Sequence, residues 1–176
     1  MSFGEKILDY KEDILKDLDE LLKIQSVSSK SQEDASEALK FILKRAEEMG
    51  LTTENVDDIA GHAEYGKGDE IAAVLSHVDV VPSGDGWSVE PFALTRKNGR
   101  LYGRGIADDK GPAIIALYCL KALKDSGVPF KRRLRTIFGA SEEVGMADMD
   151  RYFSKQPLPN MGFTPDLEYG ICNVEK

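Results

Sequence analysis

The chain has 176 residues, 41% of them hydrophobic and 31% charged, with a formal net charge of −8. That is enough for one domain with a sizeable core and too little for two large ones. The acidic balance leaves no basic face of the kind nucleic acids need, and no apolar stretch is long enough to cross a membrane.

The two cysteines, Cys119 and Cys172, lie far apart and give no sign of a disulfide framework or a thiolate zinc site. The N-terminal Met1–Lys6 leads into acidic amphipathic sequence unlike a secretory signal, so a reducing cytoplasm is the expected compartment. Ile7, Leu8, Ile14, Leu15, Leu18, Leu21 and Leu22 recur at helical spacing and predict an amphipathic helix. After the polar break Ser26–Ser31, a second helix is expected over Gln32–Met49, with Ala38, Phe41, Ile42 and Met49 inward and Gly50 ending it. Leu51–Val56 and His62–Tyr65 are short strand candidates. His62, ahead of the turn-rich Gly66–Asp69, reads as a surface residue without a role.

Ile71–Val81, I-A-A-V-L-S-H-V-D-V-V, is dense enough in apolar residues for a strand buried on both faces. It carries His77 and Asp79 two residues apart, so on a strand they share a face. An imidazole and a carboxylate in such surroundings each need a partner. A structural His–Asp hydrogen bond at a strand end meets that need. So does metal ligation, with one ring nitrogen on a cation and the other held by a carboxylate.

Pro82–Gly86 is a turn cluster, and Trp87 and Phe92 frame a loop expected to pack onto the domain. Lys97-Asn98-Gly99, between Phe92–Arg96 and Arg100–Gly103, predicts a hairpin. Pro112–Lys124 predicts a well-buried helix in which Cys119 packs as a small hydrophobe, stopped by Gly127 and Pro129. Lys131-Arg132-Arg133-Leu134-Arg135 reads as the solvated start of strand Leu134–Ala140, with a phosphate patch as the second reading. A short helix over Ala147–Phe153 and a loop opened by Pro157 and Pro159 lead to Gly162–Asp166. This order of elements is an α/β layer pattern. In such sheets function gathers beyond the carboxyl ends of the strands, where His77, Asp108, Glu142, Glu143 and Asp166 all fall.

Each of these acids has an ordinary alternative. Asp108-Asp109 suits a helix N-terminus as well as a carboxylate bridging two metal ions. Gly103 and Gly105 begin a G-x-G-x-x-G pattern, but Asp108 in its sixth position opposes a pyrophosphate, which removes the dinucleotide reading. Ser141 could cap a helix with Glu142 and Glu143 in its first turn; alternatively one glutamate binds a metal and the other faces a water. Asp166 could be a turn residue. Together they supply one imidazole and several carboxylates, a donor set suited to zinc, manganese or cobalt.

Five motifs stand in order: S-H-V-D-V-V-P (Ser76–Pro82), W-S-V-E-P-F (Trp87–Phe92), L-Y-G-R-G-I-A-D-D-K-G-P (Leu101–Pro112), S-E-E-V-G-M (Ser141–Met146) and G-F-T-P-D (Gly162–Asp166). On these the sequence resembles the co-catalytic zinc metallopeptidases that include carnosinase, aminoacylase, glutamate carboxypeptidase and succinyl-diaminopimelate desuccinylase. Within them it looks most like the bacterial PepV-type dipeptidases, which act on Xaa-His or beta-alanyl dipeptides. The resemblance implies a three-layer α/β/α fold with a mixed, mostly parallel sheet, incomplete here and without the family's lid domain. Residues 1–176 would form the N-terminal part of a catalytic domain, with the metal-site motifs within 76–166.

The same resemblance implies that His77, Asp108 and Asp166 hold one metal, and that Asp108 bridges to a second held also by Glu143. Asp79 would orient His77, Glu142 would be the general base, and the peptide bond after Asp108 would be cis. The implied cofactor is a pair of zinc ions, with manganese or cobalt as substitutes, and the implied reaction is hydrolysis of a dipeptide amide bond. Family members complete the second metal shell with a His far downstream, and His62 matches no such ligand, so the chain is expected to be inactive alone. Two alternatives stay open: a deacylase or desuccinylase with the same metal core, and a non-catalytic remnant that binds metal or a complementary C-terminal fragment. The expected partner is a small peptide, with no nucleic acid or membrane.

Overall fold

A computed structural model describes residues 3–166. A short α1 (Phe3–Lys6) and a 3₁₀ turn (Ile7–Tyr10) lead into α2 (Lys11–Lys23) and α3 (Gln32–Glu48). Then come β1 (Thr52–Val56), β2 (Ala60–Tyr65), β3 (Ile71–His77) and the hairpin of β4 (Thr95–Lys97) and β5 (Arg100–Tyr102). Helix α4 (Lys110–Asp125), β6 (Arg133–Gly139), α5 (Ala147–Lys155) and β7 (Met161–Phe163) complete the order. Local chemistry sets the boundaries. The Ser31 hydroxyl accepts from the Asp34 amide at 3.1 Å and starts α3. Asn98 and Gly99 both take positive φ, 53° and 72°, as the tight hairpin turn demands.

The main sheet has the order β1-β2-β6-β3-β7. β2 pairs antiparallel with both β1 and β6, whereas β3 pairs parallel with β6 and β7. Four strands therefore run one way and β2 alone opposes them. Leu21, Leu22, Leu39, Ile42, Ile114 and Leu117 of α2, α3 and α4 cover one face over Ala63 and Phe138. On the other face Met149 and Tyr152 of α5 lie over Val56, Ala60, Ile71 and Ile137. This is the expected three-layer α/β/α arrangement with a mixed sheet. Among the described residues no helix is long and apolar enough to cross a membrane.

Three sequence expectations are corrected. Helix α4 is not buried all round: Ile115 is half exposed and Cys119 is exposed. Cys119 and Leu123 instead join Ala72, Val74, Met161 and Phe163 along an open apolar groove of about 340 Å³ beside β7. Cys172 lies outside the described residues. The basic run is solvated at Lys131 and Arg132, at the start of the strand, but not to its end. Arg135 is buried and its Nη2 meets Glu64 at 2.7 Å, while Arg132 pairs with Glu70.

The third correction is His62, which is buried rather than on the surface. Its Nδ1 lies 2.8 Å from Tyr152 Oη, and Arg135 Nη1 donates to that same oxygen at 3.1 Å. The hydroxyl's own proton is then free for His62 Nδ1, which accepts it as a neutral ring. Burial, aided by the charges of Arg135 and Arg133, holds the His62 pKa down at about 3. The unfolded chain takes up a proton near the ordinary value of 6.5, and the folded chain does so only near 3. Stability from this residue is therefore complete above the upper value and is lost as pH falls through the window. The expected slope is about 1.4 kcal/mol per pH unit. Denaturant unfolding between those pH values should be correspondingly steeper for wild type than for His62→Gln, which keeps an acceptor but does not titrate. Equal slopes would remove the buried, neutral histidine from the account.

Candidate functional site

His77, the last residue of β3, pairs with Gly139, the last residue of its parallel neighbour β6. The two segments thus leave the sheet side by side, at the edge where α/β folds collect ligands. Beyond β6 a 3₁₀ turn, Glu142–Val144, carries the two glutamates back over the end of β3. The glycine-rich turn ahead of α4 delivers Asp108, and its peptide bond to Asp109 is cis, as the resemblance implied. The segment after β7 delivers Asp166.

The ring of His77 has a fixed polarity. Nδ1 lies 3.0 Å from the main-chain oxygen of Asp79 and 3.4 Å from its Oδ1. A carbonyl only accepts, so Nδ1 carries the hydrogen and the neutral ring has its lone pair on Nε2. That lone pair faces carboxylate oxygens: Asp108 Oδ1 at 3.0 Å, Asp166 Oδ2 at 3.5 Å and Glu142 Oε2 at 3.9 Å. With a neutral ring acceptors would confront acceptors, and either a proton on Nε2 or a metal cation in its place resolves the arrangement. Among the described residues no Lys or Arg forms an ion pair with these three acids or with Glu143. The field is strong enough to act on the ring itself. Burial opposes a charged His77, yet Asp79, Asp109 and Asp166 outweigh it and push the imidazole up to about 10. Burial raises Glu142 and Glu143 above the ordinary carboxylate range, and neighbouring acids add to the effect.

Two ligand groupings emerge, His77–Glu142–Asp166 and His77–Asp108–Glu143, each with its donor atoms within 4.8 Å of one another. Both draw on one imidazole. With Nδ1 committed to Asp79, His77 can serve a single cation. The donor set, hard oxygens plus one ring nitrogen, fits a divalent ion of the zinc, manganese or cobalt kind.

All five acids and the imidazole singled out in the sequence lie in this region. Glu142 stands with Asp166, and Glu143 with Asp108. Asp79 lies just beyond the end of β3, between His77 and the isolated parallel bridge that Val80 makes with Val27. Its buried carboxylate accepts the amides of Glu142 and Glu143, both at 3.2 Å. Against the cost of burial, His77, the Ser28 hydroxyl and the Glu143 amide keep its pKa low.

Sequence reasoning gave no individual role to three buried titratable residues. Asp109 accepts the His77 amide on Oδ2 at 3.1 Å, its Oδ1 has no hydrogen-bond partner among the described residues, and burial pushes it up to about 7. Lys110 donates to the carbonyls of Leu21 and Ile24 at 3.0 and 2.7 Å, tying α4 to the end of α2. Asp148 accepts the amides of Ala140 and Ser141, both at 2.8 Å. Lys110 stands beside a motif acid and Asp148 in a helix first turn, where charge is commonplace, so composition gave no signal for either.

The description of peptidase family M20/M25/M40 matches residues 73–175. Across its full length the chain is 42% identical to “Putative dipeptidase YtjP” of Bacillus subtilis, covering 40% of that protein. “Putative dipeptidase SACOL1801” of Staphylococcus aureus is also 42% identical over 98% of this chain, which covers 38% of it. The chain thus spans about two fifths of the length of the curated relatives it matches. Among solved structures, the di-peptidase Dug1p of Saccharomyces cerevisiae is similar at 26% identity with a TM-score of 0.73, covering 87% of this chain and 37% of that one. Human carnosine dipeptidase 1 shares the fold at 24% identity and a TM-score of 0.72, with the same coverage, 87% and 37%.

Proposed function

This chain belongs to peptidase family M20/M25/M40, and we propose that it supplies the metal-binding part of a dipeptidase. The single observation that carries this reading is the convergence of three carboxylate oxygens on His77 Nε2 within 3.9 Å. His77, Asp108, Glu143 and Asp166 would hold divalent ions, zinc first and manganese or cobalt as substitutes, with Asp108 shared between two of them. By the resemblance, a second ion would take a further histidine ligand from a region downstream of these motifs.

Such ions, when bound, supply Lewis-acid polarisation of the scissile carbonyl and acidify water. The protein's part is positioning and proton movement. Asp79 orients His77 through Nδ1. Glu142 borders a cleft of about 170 Å³ lined also by Leu75, His77, Met146, Thr164 and Asp166. Its raised pKa makes it a better acceptor of a water proton than an ordinary carboxylate, and it returns that proton to the leaving amine nitrogen.

The motif set favours PepV-type, carnosinase-like substrates: Xaa-His and beta-alanyl dipeptides. Residues 1–176 would act as the N-terminal part of a catalytic domain. The remainder of a longer chain, or a complementary C-terminal fragment, would cover the groove beside β7. The polypeptide by itself should turn over dipeptides little or not at all.

A substrate panel tests the reading. The zinc-loaded polypeptide is assayed alone and mixed with the region its relatives carry beyond it, against dipeptides, N-acyl amino acids and N-succinyl amino acids. Turnover of dipeptides by the mixture is expected. Turnover confined to acylated or succinylated substrates assigns a deacylase with the same core. A stable complex without any turnover assigns a binding role, and robust hydrolysis by the 176 residues alone refutes the need for a complement.

A further inference from the structure

Four consecutive amides at the exit of β6 are held by two buried carboxylates. Ala140 and Ser141 donate to Asp148 Oδ2, both at 2.8 Å. Glu142 and Glu143 donate to Asp79 Oδ1 and Oδ2, both at 3.2 Å. Asp79 is 0% exposed and Asp148 1%. The contact on the Asp148 side is reciprocal, since Ser141 Oγ accepts the Asp148 amide at 3.2 Å. Space is reserved for it as well: a Cβ at Gly139 would stand 2.5 Å from Asp148 Oδ2.

Asp79 already has a place in the site through His77. Asp148 does not, and it touches none of the ligand atoms. Docking α5 does not require it, because Met149 and Tyr152 supply an apolar contact with the sheet. A carboxylate taken out of water is costly unless it is used, and hydrogen bonds to an ionised acceptor are among the stronger ones available. Here they fall on the two residues immediately before the glutamate pair. We propose that Asp148 is a positioning residue for that pair: it fixes where the chain leaves β6, and so sets the reach of Glu142 and Glu143 toward His77, Asp108 and Asp166. The inference rests on the metal reading above and extends it to a supporting residue in another layer of the fold.

Zinc titration calorimetry and the visible spectrum of the cobalt-loaded protein test it on Asp148→Ala, Asp148→Asn and Gly139→Ala. Residues that support ligands without binding metal typically alter affinity by about 10–100-fold. Asp148→Ala should fall in that range and change the cobalt spectrum. Asp148→Asn keeps one acceptor oxygen and should lose less. Gly139→Ala leaves the charge but displaces the carboxylate, and should resemble Asp148→Ala. If Asp148→Ala does not fold, the other two decide. Folded variants with lowered melting temperatures but unchanged zinc affinity and cobalt spectrum would overturn the inference alone. Absence of uptake by wild type would overturn it together with the metal reading.

Discussion

Replacing His77 with Ala should abolish tight metal uptake. The loss should exceed the roughly 100-fold upper range for residues that only support a ligand. His77 supplies the one imidazole lone pair in both candidate groupings. Without it, a cation would have carboxylates alone, the donor set of a magnesium or calcium site rather than of zinc. Asp108→Asn should weaken uptake as well, since it halves the charge that Asp108 and Glu143 present together. Calorimetric titration of each variant, with circular dichroism to establish folding, measures both. Unchanged zinc affinity in a folded His77→Ala protein would remove this cluster from consideration as a metal site.

Glu142→Gln should separate binding from chemistry. The amide keeps the size and one acceptor oxygen of Glu142 but cannot take a proton. A general base typically contributes about 10²–10⁴-fold, so turnover by the complemented protein should fall by that factor. Zinc affinity should stay near wild type. The geometry makes this a demanding test, because Glu142 Oε2 lies 3.9 Å from His77 Nε2, in one grouping with Asp166. A large loss of affinity would recast Glu142 as a ligand, and the base would have to be sought elsewhere.

The elements were legible wherever one local signal dominated. Helical spacing gave α2 and α3, Asn98-Gly99 gave the hairpin, and the apolar run gave β3. The acids of the site were legible because they stand at strand exits, where their alternatives as caps or turn residues are individually ordinary but jointly improbable. What stayed hidden depends on tertiary neighbours. His62 reads as a loop residue until α5 brings Tyr152 over it. Cys119 looked buried because its helix is apolar on most sides, although no described element covers that side. Asp148 looks like any first-turn aspartate until its side chain is seen to hold the amides of Ala140 and Ser141. The division of Glu142 and Glu143 between Asp166 and Asp108 is likewise a matter of turn geometry, which spacing does not encode.

Titrating the wild-type chain with zinc in two buffers of different ionisation heat addresses the central idea most directly. Metal on His77 Nε2 must displace the proton that the surrounding carboxylates hold there. The expected result is uptake of at least one ion per chain with release of a proton to the buffer. No uptake, or uptake without proton release that survives loss of His77, would contradict it.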